Sequence, residues 1–238
     1  MRDLGTIWVY LSASPLLHLT LTLAAFQVGM WLYRRANLNP LLNPVMIAVL
    51  LLVAILWVTG TPYKTYFDGA QFVHFLLGPA TVALAIPLYR QFAKVRRSAL
   101  AVVSSIIAGS LTAAATAVAT GWLFGASHQT LVSMAPKSVT AAVAMGISEQ
   151  LGGLPSLTAV LVIVTGILGA MLGPPVLNLL RITSWEARGL AMGTASHGIG
   201  TARALQVNEV AGAFAGLAMG LNALATAILL PILARLFF

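Results

Sequence analysis

Gly193 to Glu209 read GTASHGIGTARALQVNE, and this stretch decides how the rest of the chain is folded. It carries Ser196, His197, Arg203, Asn208 and Glu209 among three glycines, yet long apolar runs flank it. A charge near the bilayer centre costs at least about 2.5 kcal/mol, so it needs a partner or a task. Gly193, Gly198 and Gly200 weaken a continuous helix. The stretch therefore reads as an unwound segment around Ser196 to Gly200, followed by a half-helix that starts near Thr201. Unpaired N–H groups and a positive dipole end at that start suit an anion. Arg203 adds a bidentate grip for a carboxylate. Thr201 and Asn208 share a face of the half-helix.

Composition explains why polarity stands out here. Of 238 residues, 59% are hydrophobic and 8% charged, against about 25% charged in a soluble domain. Stretches without Asp, Glu, Lys or Arg run from Leu4 to Tyr33, Ala36 to Tyr63, Gly69 to Tyr89, Ser98 to Pro136, Gln150 to Leu180 and Val210 to Ala234. Each exceeds the roughly 20 residues a helix needs to cross the hydrocarbon core. Spans in lipid are helices or closed barrels, and these runs lack a barrel's alternation. The expectation is an all-α polytopic membrane protein, one integral membrane domain over residues 1–238, with roughly six to eight spans. Spans are expected near 15–33, 43–60, 69–90, 98–124, 155–178 and 213–236, with Pro79 and Pro87 kinking or breaking the third. The N-terminal run is expected to be retained, because its basic leader is poor for a signal peptide.

The net charge of +8 points to membrane topology, not to nucleic acid. Basic residues cluster in Arg34-Arg35 and in RQFAKVRR, Arg90 to Arg97. That places both loops on the cytoplasmic side of the cell (inner) membrane. Trp31, Tyr33, Trp57, Tyr89 and Trp122 fall near predicted span ends, as in an aromatic belt. With no cysteine there is no disulfide, thiolate metal site or Cys nucleophile. His18, His74, His128 and His197 lack metal-ligand spacing, and His18 and His128 read as span-edge residues. GIGTAR departs from a dinucleotide fingerprint at Arg203. Ser196 and His197 are adjacent and form no nucleophile elbow. No enzyme, metal or cofactor is expected.

Two segments, 128–152 and 188–209, resist assignment as plain spans. SVTAAVAMGISEQLGGLPSLTAVLV from Ser138 aligns without gaps on GIGTARALQVNEVAGAFAGLAMGLN from Gly198. Ala142/Ala202, Ala144/Ala204, Glu149/Glu209, Gly152/Gly212, Leu157/Leu217 and Leu161/Leu221 match. This reads as an internal repeat, about 128–187 and 188–238, with interrupted segments in matching positions, which points to a transporter site. Two topologies stay open. Either both segments are re-entrant hairpins from opposite faces, or both cross. Gly212, Gly216 and Gly220, and separately Gly169 and Gly173, read as faces for close helix approach.

The first of these segments contains SMAPKSVTAAVA, Ser133 to Ala144. Pro136 is expected to open a helix, with Lys137, Ser138 and Thr140 at its start. The two motifs together read as a cradle for a small organic anion, built from Lys137, Ser138, Thr140, Ser196, His197, Gly198, Gly200, Thr201, Arg203 and Asn208. Thr81 is a weaker third contributor. Glu149 and Glu209 are candidates for proton coupling. The plainer reading has Lys137 and Arg203 snorkelling to an interface and both glutamates sitting in loops.

NPVMIAVLLL, FLLGPATVALAIPLY, APKSVTAAVAM and GTASHGIGTARALQVNE followed by GAFAGLAMGLNALAT resemble the LrgB/CidB family of bacterial membrane proteins. The resemblance runs from about Pro15 to the C-terminus. SVTAAVAM stands here where the family commonly has SVTTPIAM, so the segment after Thr140 lacks a proline. The resemblance implies one of two roles. One is holin/antiholin-like control of murein hydrolase activity and autolysis with a small LrgA/CidA-type partner. The other is carriage of glycolate, glycerate or pyruvate, as in related plastid and bacterial proteins. A homodimer in the lipid bilayer is expected.

Overall fold

The computed structural model describes residues 15–76, 79, 82, 83 and 85–237, all of the regular structure being helical. The chain divides into two compact units between Ala83 and Leu84.

The first unit holds α1 (Pro15–Arg35), a 3-10 turn (Pro40–Leu42), α2 (Pro44–Thr59) and α3 (Tyr63–Phe75). Asn43 starts α2 by accepting from the Val45 and Met46 amides at 2.9 and 3.2 Å, with Pro44 in the first turn, where its missing N–H costs nothing. Ala25, Ala48 and Leu52 form its small core. His18 is buried against the edge of the Tyr66 ring, and Tyr66 OH meets Thr22 Oγ1 at 2.9 Å. His18 sits in the first turn of the 16–35 span, at its edge as expected, but buried, and Tyr33 near the other end is buried rather than belted. Both keep their apolar area out of the hydrocarbon boundary by packing inside a three-helix unit. Trp31 and Trp57 are exposed near helix ends as expected.

The second unit holds α4 (Ala85–Arg90), α5 (Phe92–Arg97), α6 (Ala99–Leu123), α7 (His128–Met134), α8 (Ala141–Gln150), α9 (Pro155–Leu179), α10 (Trp185–Val207) and α11 (Glu209–Phe237). Across both units, four helices are long and apolar enough to span: 16–35, 99–123, 155–179 and 209–235. The chain is a multi-pass α-helical membrane protein. The expected third span, 69–90, is represented by α3 and α4; Thr81 lies outside the described residues. His74 is within α3, and its side chain is not described.

Side-chain contacts fix the direction of each long helix in this unit. Arg90 pairs with Glu209 at 3.5 Å and Lys94 with Glu186 at 3.9 Å, so α10 and α11 both begin on the side of the basic α4–α5 loop. α6 starts on that side too and runs with α11: Val102 and Ile106 pack on Phe214 and Ala218, and Ser110 meets Thr226 at 2.8 Å. α9 runs the other way along α10, with Gly166 facing His197, Gly169 facing Ser196 and Gly173 facing Met192. Residues 124–154 therefore leave and rejoin on the side opposite Arg90. Of the two topologies open in the sequence, the structure has the hairpins.

Candidate functional site

The second hairpin is α10 itself. Its helical hydrogen bonding is broken at His197, whose φ of 40° and ψ of −129° are a glycine conformation. The chain reverses there, bringing Gly200 onto the Met192 carbonyl. The arm 185–196 is about 18 Å long at 1.5 Å per residue, too short to cross a ~30 Å core. A side chain at φ above zero costs roughly 1–3 kcal/mol unless its surroundings impose it. Here His197 is buried, and its Nε2–H donates to the Val162 carbonyl of α9 at 2.9 Å. Because a carbonyl only accepts, the hydrogen sits on Nε2. The sequence located this break within a residue or two, but named the glycines rather than His197 as its pivot.

Contact between backbones seats this hairpin. A Cβ at Gly189 or Gly193 would collide with the Ala211 or Ala215 carbonyl of α11. Small residues at helical spacing on both partners permit that approach. The expected stripe is corrected only at its end. Gly169 and Gly173 do face α10, and a Cβ on Gly212 would collide with Leu205 of its returning arm, whereas one on Gly220 would meet nothing. Ala211 and Ala215 face the hairpin's first arm as well.

The first hairpin is α7, a break over Ala135–Thr140, and α8. Ser127 caps α7 by accepting from Thr130 N at 3.3 Å. Pro136 does not open a helix as expected. It is buried inside the break, and Thr140 is the residue before α8. Three buried hydroxyls pin the arms to α9. Thr158 Oγ1 reaches Ser148 Oγ at 2.8 Å and the Ser133 carbonyl at 3.0 Å, and Ser133 Oγ accepts from Leu154 N at 2.7 Å.

The two breaks meet on Asn222 of α11, which is 1% exposed. Its Nδ2 donates to the Ser138 carbonyl in the first break at 3.2 Å and to the Thr194 carbonyl in the second hairpin at 3.1 Å. Helix ends release carbonyls that water cannot satisfy here, and Asn222 takes one from each hairpin. Sequence reading missed Asn222. Its signal was an asparagine amid 24 residues of α11 that carry no charge.

Beside these tips lies a cavity of about 900 Å³ between α6, α9, the first break and the first arm of α10. It extends from Ala187, near the base of α10, to Lys137 and Ser138. Its polar lining is Lys137, Ser105, Thr112, Ser138, Thr165 and Thr194; Ala, Gly and Leu make up the rest. Lys137 is half-buried, and among the described residues no carboxylate pairs with it. Ser105, Thr112, Thr165 and Thr194 were not singled out in the sequence, because hydroxyls on apolar helices are common and only the fold selects these four.

The remaining expected residues are spread out. Ser196 sits behind the cavity wall against Gly169, buried and with its Oγ lacking a hydrogen-bond partner. Gly198 begins the returning arm, and Thr201 Oγ1 donates to the His197 carbonyl at 2.8 Å. Arg203 lies further along that arm, and it and Asn208 are not among the residues lining the cavity. Asn208 caps α11, accepting from the Val210 and Ala211 amides at 2.9 and 3.2 Å. Glu149 is exposed near the end of α8, and Glu209 is exposed against Arg90. Both glutamates are at hairpin bases, away from the tips. The Glu186 carboxyl, also at the base, is held below the ordinary glutamate range by its own backbone amide first and then by Ser184 Oγ. No group of three His, Cys, Asp or Glu that could hold a metal occurs among the described residues.

The family model described as the LrgB-like family matches residues 22–236, across both units. The Staphylococcus epidermidis holin-like protein CidB is 36% identical over 229 residues, covering 96% of this chain and 99% of that protein. Bacillus subtilis YxaC is 37% identical over 217 residues, 91% of this chain and 94% of its own length. Staphylococcus aureus holin-like protein CidB is 36% identical over 200 residues, 84% and 87% of the two chains. No solved structure matches.

Proposed function

The chain belongs to the LrgB-like family, and from that premise we propose that it is a secondary transporter of small monocarboxylates such as pyruvate, glycolate or glycerate. One observation carries the reading: Lys137 lines a membrane cavity with no carboxylate partner among the described residues. A cation held in low dielectric without a counter-charge is costly, and a bound anion supplies that charge. One lysine balances one negative charge, which favours a monoanion. The hydroxyls of Ser138, Thr165 and Thr194 suit the carbonyl or hydroxyl of a 2-oxo or 2-hydroxy acid. The N-terminus of α8 adds its dipole beside Lys137. Hairpins inserted from opposite faces that meet near the midplane are the arrangement in which one bundle rocks against another to alternate access. The internal repeat, with Lys137 and His197 in aligned positions of the two breaks, supports it further. The reading gives the chain no catalytic step.

The test is uptake of labelled pyruvate, glycolate and glycerate into proteoliposomes. Lys137→Ala is expected to lower saturable uptake at least about 100-fold, the scale of a lost buried charge pair, with Lys137→Arg partly active. Normal uptake by a folded Lys137→Ala protein would overturn the proposal. Arg203→Ala tests the grip expected from the sequence; retained uptake removes Arg203 from the site.

A second reading has its own support, since two of the relatives are named holin-like proteins. In it the chain regulates murein hydrolase activity and lysis with a small LrgA/CidA-type membrane partner. Unaltered lysis control in a cell carrying the transport-dead Lys137→Ala variant would favour it, as would a stable complex with such a partner.

A further inference from the structure

We propose that Asn222 marks a second site, for a dehydrated monovalent cation of sodium's size, formed by the Ser138 and Thr194 carbonyl oxygens and Asn222 Oδ1. Three observations converge. Two carbonyls from separate breaks face one point, 3.2 and 3.1 Å from the same nitrogen. Thr194 lies at the C-terminal end of the first arm of α10, where the helix dipole is negative and favours a cation. Asn222 Oδ1 is buried with no hydrogen-bond partner, the costly state for an acceptor.

The amide N–H groups stand where an ion would. Turning the amide about Cβ–Cγ exchanges Nδ2 for Oδ1 and brings Oδ1 within about 3.2 Å of both carbonyl oxygens. Such spacing suits a cation that takes oxygen ligands at about 2.3–2.6 Å. All three oxygens are neutral, and no carboxylate is among them, so the site fits a singly charged ion rather than calcium or magnesium. Discontinuous helices in transporters offer such carbonyls to coupling ions in the same way.

The site also has a built-in condition. Lys137 precedes Ser138 in the chain, so its charge opposes a cation there. An anion that neutralises Lys137 removes the opposition. Cation and carboxylate therefore bind with positive cooperativity, and by linkage each raises the other's affinity by the same factor. The coupling, though not the cation site itself, rests on the carboxylate reading above.

The experiment is binding of radiolabelled sodium to the full-length protein in detergent, with choline replacing sodium at constant ionic strength. Wild type is expected to bind sodium weakly alone and at least about 10-fold more tightly with saturating pyruvate. Lys137→Ala is expected to bind it tightly without pyruvate. Asn222→Leu is expected to bind none, and Asn222→Asp to bind more tightly than wild type and to melt higher with sodium than without it. No sodium binding by folded Lys137→Ala, or unchanged binding in Asn222→Leu, overturns the site. Sodium binding that needs Asn222 but never responds to any carboxylate leaves the site standing and sinks the carboxylate reading. Uptake of carboxylate with no sodium binding does the reverse.

Discussion

In the first hairpin the chain takes Ala135–Thr140 to turn round; in the second it turns on His197 alone. The longer turn carries the cavity's cation, and its arms are fixed by side chains: Thr158 links Ser133 and Ser148 through buried hydroxyls. The short turn presents no cation to the cavity and is fixed by backbone, with Gly189 and Gly193 laid on the carbonyls of α11. A hydroxyl link can break and re-form with other partners at modest cost. A backbone approach too close for a methyl group cannot be adjusted without moving a helix. The contrast makes the first hairpin the adjustable one and the second the one mechanically continuous with α11.

The largest effect should follow from testing the rigid side. Gly193→Ala drives a methyl into the Ala215 carbonyl, and overpacking of this kind costs about 3 kcal/mol or more. Gly146→Ala in α8, where a Cβ meets nothing within 4 Å, should be neutral or stabilise by up to about 1 kcal/mol through helix propensity. Thermal unfolding in one detergent compares them. Equal melting temperatures would end the contrast between the hairpins.

Next in size is Thr158→Val, which leaves the Ser148 hydroxyl and the Ser133 carbonyl without their link. The loss should be about 1–3 kcal/mol. Ser196→Ala is its counterpart in the second hairpin. That hydroxyl has no partner, so its removal should change stability by less than about 0.5 kcal/mol or raise it. A large loss in Ser196→Ala would mean that the second hairpin, too, depends on a hydroxyl.

Of those two hydroxyls, Ser196 was legible in the sequence and Thr158 was not. Charge-free runs located the four long apolar helices among six expected spans, and the polarity of 193–209 located the second break, because glycines and a histidine inside an apolar chain are costly signals. Lys137 was found for the same reason. Pro136 was misread as a helix start because a proline suits both a first turn and an irregular break, and only packing decides. Arg203 enters the sequence reading for its grip on a carboxylate and Asn208 for the face it shares with Thr201; neither lines the cavity, because spacing does not give the direction of a returning arm. Glu149 and Glu209 align in sequence, yet one ends α8 and the other opens α11. Asn222 was invisible because its meaning depends on two carbonyls 84 and 28 residues away.

A smaller effect is expected at the pivot. His197→Gly removes the positive-φ cost of roughly 1–3 kcal/mol and also the bond to the Val162 carbonyl, about 1 kcal/mol net plus the penalty of a stranded acceptor. The terms oppose, so stability should stay within about 1 kcal/mol of wild type. His197→Leu keeps the backbone cost and loses the bond, so it should melt below His197→Gly. If leucine were the more stable variant, burial rather than the Val162 bond would be what imposes the turn.

The least effect belongs at the hairpin base. Lys94 and Glu186 lie 3.9 Å apart with side chains 53% and 38% exposed, so the pair is worth at most about 0.5 kcal/mol after solvent screening. The sign with pH still follows. Glu186 has its folded-state pKa depressed, by its own amide before Ser184 or Lys94. Its contribution is therefore present above the unfolded value of about 4.3 and is lost as pH falls through the lower folded value. Glu186→Gln should flatten that acid-side slope and leave the melt at pH 7 almost unchanged. Because the backbone amide ranks first among the causes, Lys94→Ala should preserve most of the slope, and added salt should do no more than Lys94→Ala does. A Lys94→Ala variant that abolished the slope would transfer the role from the helix start to the ion pair. The basic α5 loop would then join the backbone seat on α11 as a second fastening of the rigid hairpin.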